Sequence, residues 1–176
     1  MAKRGDTPQI FVADLAAYNN GKLHGAWIDA TQDPDDIAAE IKAMLDASPE
    51  NGAEEWAIHD YQGFGKLRLG EFEKLETIST VAKMIEEHGE VFAGLVDHLG
   101  GLENLDDAET AFEESYQGSY DSLSDWAEDF AKDTGASLEN YRNYIDWEHV
   151  GRDAELGGDI FTVETDDGRV HVFWAH

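Results

Sequence analysis

The chain has 176 residues, with 39 Asp and Glu against 12 Lys and Arg, a formal net charge of −27 and several times the magnitude of about 2–8 that keeps a small domain dispersed. At 41% hydrophobic and 11% aromatic residues it is too apolar for a disordered acidic tail, so its acid belongs on a folded surface. Such a surface excludes direct binding to nucleic acid or anionic membrane, and the lack of cysteine excludes disulfides and thiolate zinc sites.

The N-terminal stretch reaches Asp14 before any apolar core of signal-peptide length. No apolar run approaches the roughly 20 residues of a membrane span, so a soluble, cytoplasmic protein is expected. Residues 9–15 (QIFVADL) and 23–29 (LHGAWID) read as strands joined at Asn20-Gly21, the strongest short hairpin signal. Asp33-Pro34 reads as the N-cap and first residue of a helix. Its Ile37, Ile41, Met44 and Leu45 share one face, and Ser48-Pro49 ends it. Residues 55–61 (EWAIHDY) supply a third strand, completing a small antiparallel sheet with one helix. Gly63-Phe64-Gly65 marks a break. Beyond it Leu75, Ile78, Val81, Ala82 and Ile85 define a helix that stops near Gly89, and a shorter apolar segment, 91–99, ends at Gly100-Gly101.

Acidity then concentrates: residues 101–140 hold 12 acidic side chains and one basic, a net −11. Helices are predicted over 103–115 and 122–133, the second with Ser122 as N-cap and Asp125 three residues on, and a third over 138–149. Residues 160–165 and 169–174 form a closing hairpin around Asp166-Asp167-Gly168. The expected fold class is α+β with breaks near 62 and 103. This gives a sheet-and-helix segment over 1–62, a small helical segment over 63–103, and an acidic segment of helices plus a β-hairpin or small sheet over 104–176.

Projected at 100° per residue, the first acidic helix places Leu105, Ala108 and Phe112 on one face and Glu103, Asp106, Asp107, Glu113 and Glu114 on the other. The next places Leu123, Trp126, Ala127 and Phe130 inward, with Asp121, Asp125, Glu128 and Asp129 outward, relieved only by Lys132. Asp33, Asp35, Asp36, Glu40, Glu86, Glu87 and Asp133 add to the candidate partner-binding acids. Like charges at i,i+4 destabilise a helix by about 0.2–0.5 kcal/mol each, so a one-sign stripe asks for an explanation. Two carboxylates per 5.4 Å turn give one charge per ~2.7 Å, against one per ~1.7 Å in duplex DNA. The sharper reading is a polyanion mimic. Halophilic proteins share an acidic, lysine-poor composition, so composition by itself leaves a salt-adapted surface as the alternative.

No catalytic constellation emerges. Carboxylate pairs are too numerous to inform, residues 29–36 lack the Gly and terminal Glu of a calcium loop, and HExxH is absent. His88 and His98 are too far apart to pair on one helix, and His59-Asp60 reads as structural. Gly63-Phe64-Gly65-Lys66-Leu67 fits neither phosphate-binding pattern, and Gly118-Ser119-Tyr120 does not complete a nucleophile elbow. The expectation is no enzyme, no cofactor and no metal. Trp126, Phe130, Tyr141, Tyr144 and Trp147 read most simply as core residues, with a dimer seam as the alternative.

Phe11-Val12-Ala13-Asp14-Leu15, with Tyr18-Asn19-Asn20-Gly21-Lys22-Leu23-His24-Gly25-Ala26-Trp27-Ile28, resembles the opening of ArdA-type antirestriction proteins. So do Ala57-Ile58-His59-Asp60-Tyr61 and Asn143-Tyr144-Ile145-Asp146 followed by Gly151-Arg152-Asp153. Ser124-Asp125-Trp126-Ala127-Glu128-Asp129-Phe130-Ala131 is similar to that family's antirestriction motif, while Trp147 and Ala154 depart from its pattern. The resemblance implies a protein of mobile DNA that inhibits type I restriction–modification complexes by imitating duplex DNA. It also implies an elongated, curved chain of three small domains that forms a homodimer through the last. The implied partners are the specificity and modification subunits, without direct contact to nucleic acid or membrane; restriction is blocked, and modification can be. Alternatives are an acidic decoy for another DNA-binding protein and a carboxylate-dependent hydrolase.

Overall fold

The computed structural model describes residues 7–135 and 141–175. They form a mixed α+β fold in two compact units, Met1–Leu105 and Asp106–His176. The segments on either side of residue 62 share the first unit.

In that unit, β1 (Gln9–Asp14) is the central strand of an antiparallel sheet, between β2 (Gly25–Asp29) and β3 (Trp56–Gln62). Ile10 and Val12 are fully buried beneath it. β1 and β2 pair with Phe11 opposite Trp27 and Ala13 opposite Gly25. A Cβ on Gly25 would lie 2.5 Å from the Val12 carbonyl oxygen, so only glycine permits this approach.

The pairing agrees with the expected hairpin, but the connection does not. A short helix, α1 (Leu15–Asn19), replaces the tight Asn20-Gly21 turn. The cause is Asp14, whose carboxylate accepts from the Ala16 and Ala17 amides at 2.9 and 3.2 Å and starts a helical turn where the strand ends.

The helix α2 (Pro34–Asp46) buries Ile37, Ile41 and Met44 toward the sheet. The next, α3 (Leu75–His88), buries Ile78, Val81, Ala82 and Ile85, and Ser79 Oγ donates to the Gln32 carbonyl at 2.6 Å to fix it beside α2. The apolar segment after it is α4 (Glu90–His98).

In the second unit, α5 (Leu105–Ser115) runs directly into β4 (Tyr116–Tyr120), an edge strand that the sequence reading lacks. Its five residues, YQGSY, follow a helix without a break signal and carry a bulge between Tyr116 and Gly118. β4 pairs with β6 (Val170–Trp174), which pairs in turn with β5 (Ile160–Glu164) as the predicted hairpin. The sheet has two apolar faces. Val172 and Ile160 pack with Trp126 and Ala127 of α6 (Leu123–Asp133). On the other face Phe173 lies against Phe112, Tyr116 and Phe161.

The helix expected over 138–149 is corrected. Residues 138–140 lie outside the described residues; thereafter Arg142–Tyr144 is a single 3-10 turn, Ile145 is extended, and α7 is Trp147–Leu156. Asp146 sets that start, its side chain accepting from the His149 amide at 3.0 Å.

The two helices α6 and α7 cross closely at Gly151, where an added Cβ would stand 2.8 Å from Leu123 Cγ and 3.0 Å from the Leu123 carbonyl oxygen. Gly151→Ala is therefore expected to destabilise the protein. Overpacking of about 1–3 kcal/mol exceeds the ~1 kcal/mol that alanine returns in helix propensity. A denaturant melt giving a variant more stable than the parent would overturn this reading of the contact.

Candidate partner-binding surfaces

The acidic candidates fall on three kinds of local environment. Asp33, Asp35 and Asp36 open α2, and the last two occupy its first turn, where the positive helix pole favours them. Asp33 stands at the N-cap position ahead of Pro34, as expected, but its side chain makes no capping hydrogen bond. Its carboxylate pairs with Lys83 of α3, and the hydrogen bond and charge of that lysine hold it below the usual carboxylate range. Glu40 accepts from Gln32 Nε2 at 2.9 Å. Glu86 and Glu87 follow Lys83 by one helical turn and are exposed.

On α5 the arrangement is different. Leu105 and Ala108 are buried and Phe112 stacks on Tyr116 at 4.8 Å, while Asp106, Asp107, Glu113 and Glu114 are exposed. Glu103, in the preceding 3-10 turn Leu102–Asn104, is exposed as well. None of these five forms an ion pair among the described residues. Glu113 and Glu114 lie in the last turns of α5, which has no basic residue there to offset its negative pole. Each acid so placed costs about 0.3–1 kcal/mol. Helix stability accounts for Asp106 and Asp107, in the first turn of α5, but not for Glu113 and Glu114.

On α6, Ser122 caps the helix by accepting from the Asp125 amide at 3.2 Å, and its hydroxyl donates to the Asp125 carboxylate at 2.8 Å. Asp125, Asp129 and Asp133 are exposed. Glu128 is only half-exposed, held by Arg142 and lying 3.8 Å from Lys132, and Asp129 lies 3.4 Å from the same lysine. Asp121 is exposed but pairs with Arg169. The stripe still sets a negative field. Tyr120's hydroxyl is pushed above its ordinary pKa by burial first, then by Asp129 and Asp133.

Sequence reasoning found Lys132 beside the α6 stripe but missed Lys83, Arg169 and Arg142, which mute Asp33, Asp121 and Glu128 from other segments. It found the α5 stripe, which depends on helical periodicity alone.

The aromatic candidates separate. Trp126 is buried, stacked on Phe130 at 5.5 Å, and its indole N–H donates to Gln117 Oε1 at 2.9 Å. Phe130 is 40% exposed, Tyr141 63% and Tyr144 86%, so these three are not core residues. For Tyr141 and Tyr144 the reason is geometric, since Arg142–Tyr144 is a 3-10 turn rather than a packed helix face. Phe130 lies at the edge of α6, its ring against Trp126 and Trp174.

Among the described residues no group of His, Asp and Glu side chains gathers to hold a metal ion, and no helix is long and apolar enough to cross a membrane. Although burial opposes it at Asp14, among the described residues the carboxyls of Asp14, Asp33 and Asp167 are held below the usual carboxylate range, chiefly by hydrogen bonds from Ser48, Lys83 and Thr165 respectively. A family model described as antirestriction protein (ArdA) matches residues 10–167. Comparison with curated proteins finds no match.

Proposed function

The chain belongs to the antirestriction protein (ArdA) family, and on that premise we propose that it is a homodimeric, non-enzymatic DNA mimic occupying the DNA-binding channel of a type I restriction–modification complex. It contacts the specificity and modification subunits in the cytoplasm and blocks DNA binding and restriction; modification fails with them when the shared channel is filled. Carriage on mobile DNA suits such an activity.

The observation that supports this best is the α5 stripe. Four outward acids, Asp106, Asp107, Glu113 and Glu114, lie on 11 residues with no lysine or arginine. At 1.5 Å per residue the helix is about 16 Å long, giving roughly one outward charge per 4 Å. The phosphates of one DNA strand recur every ~3.4 Å along the axis. One helix thus approaches the linear charge of one strand. A dimer of two −27 chains carries −54, the charge of ~27 base pairs. Sequence-independent phosphate contact supplies most of the affinity of a DNA channel, and a polyanion competes for it without reproducing any base edge.

Exposed Phe130, Tyr141 and Tyr144 favour dimerisation through the second unit. In this proposal the functional domains remain 1–62, 63–103 and 104–176, the last carrying the dimer contact.

The test is competition between the protein and a DNA duplex for a purified type I methyltransferase. Changing Asp106, Asp107, Glu113 and Glu114 to lysine one after another is expected to weaken inhibition in steps. Each change lowers the salt slope by about one contact. Abolition by a single Asp→Asn change would instead point to an enzyme. Glu128 is unsuitable for this series, since its loss would strand Arg142.

A further inference from the structure

We propose that a cleft in the first unit is the docking site for an arginine side chain of the partner protein, a contact that rests on the mimic reading and adds to it a specific anchor. The cleft, about 490 Å³, is lined by Leu15, Glu54, Glu55, Trp56, Phe72 and Glu73. Three segments build it: the start of α1, the entry to β3, and the loop between β3 and α3. The Leu15 amide donates to the Glu55 carbonyl at 3.0 Å and the Ile58 amide donates to the Glu71 carbonyl at 2.9 Å, so backbone bonds fix both outer segments to the β3 segment.

Its apolar lining is Leu15 and Trp56, both half-buried, and Phe72, 71% exposed. Its rim is anionic. Glu54 and Glu55 are exposed, and half-buried Glu73 is oriented by accepting from the Gly70 amide at 3.2 Å. None of the three forms an ion pair among the described residues, although neighbouring Glu50 pairs with Lys22 and Asp46 with Lys42 at 2.6 Å.

Charge complementarity selects a cation, and the aromatic lining selects which one. A polyanion has no use for an exposed phenyl ring. A guanidinium does: it is planar and weakly hydrated, it stacks on an aromatic face, and it takes carboxylates with two parallel hydrogen bonds. Its apolar stem covers Leu15 as its head meets the rim. A channel built to grip phosphates presents such arginines.

Two measurements test this on the full-length protein: competition with a DNA duplex for a type I methyltransferase, and NMR shifts on adding a short oligoarginine peptide. Phe72→Ala removes no charge, yet is expected to weaken competition roughly tenfold at an unchanged salt slope. Phe72→Leu, which keeps the bulk without the ring, should lose most of the same affinity, and a melting curve equal to the parent's separates lost contact from lost fold. E54Q/E55Q should weaken competition more than D106N/D107N, which removes equal charge. The peptide should shift residues 54–56 and 72 foremost, and oligolysine less. Phe72 variants that compete like the parent, or peptide shifts spread evenly over the acidic surface, overturn the anchor. If the parent protein does not displace DNA at all, the mimic reading fails instead, and the peptide shifts still decide whether the cleft takes arginine.

Discussion

Raising the salt from about 50 to about 200 mM is expected to weaken competition for a type I methyltransferase by about 10²- to 10⁴-fold. The estimate follows from the charge spacing on α5, which is nearer that of one DNA strand than that of a duplex. Single strands give a slope of about −0.7 per contact in log affinity against log salt, so 6–10 contacts give roughly −4 to −7. Asp106, Asp107, Glu113 and Glu114 on α5, Asp125 and Asp133 on α6, Asp35 and Asp36 on α2, and Glu86 and Glu87 on α3 are exposed and without a basic partner among the described residues. They supply contacts in that range. Slopes measured by competition at several salt concentrations check this, and an affinity flat across them would rule out charge mimicry. A melting curve run alongside separates the salt-adapted alternative. Both units bury an apolar core, and on the mimic reading the fold should persist at low salt while binding is strongest there. A halophilic domain would unfold there.

The sequence was most legible where structure depends on neighbours a turn away. The burial of Ile37, Ile41 and Met44 on α2, of Ile78, Val81, Ala82 and Ile85 on α3, and the outward acids of α5 follow from helical periodicity alone. The Asp166-Asp167-Gly168 hairpin follows from turn chemistry. Errors arose where one side chain redirects the backbone. Asp14 turned a predicted hairpin into a strand, a helical turn and a strand, and Asp146 moved a helix start by several residues. β4 was invisible because its pairing partner, β6, lies some 50 residues on. The same limit applies to the surface. The pairs Asp33–Lys83 and Asp121–Arg169 span 50 and 48 residues, so the stripe could be read but not its neutralised members. The Phe72 cleft draws on three segments, and nothing local marks it.

Asp14→Ala is expected to destabilise the first unit by about 2–4 kcal/mol. The carboxylate is fully buried, accepts from the Ala16 and Ala17 amides, and accepts from Ser48 Oγ, which itself accepts from the Glu50 amide at 3.0 Å. Truncation removes a helix cap, about 0.5–2 kcal/mol, and leaves buried donors unmet at about 1–3 kcal/mol. Against a total of about 5–15 kcal/mol this is a large share. Asp14→Asn retains an acceptor for the two amides and should lose about half as much, which distinguishes the hydrogen bonds from the bulk of the side chain. Burial pushes the Asp14 carboxyl pKa up, but the Ser48 hydroxyl, the two amides and the His24 charge outweigh it and hold it below the usual value. Its stabilisation is therefore complete above the unfolded-state pKa of about 3.9 and is lost as pH falls through the folded value. The acid limb of a stability–pH curve should be shallower in Asp14→Asn than in the parent. Parallel limbs would mean that Asp14 is not held ionised by these contacts.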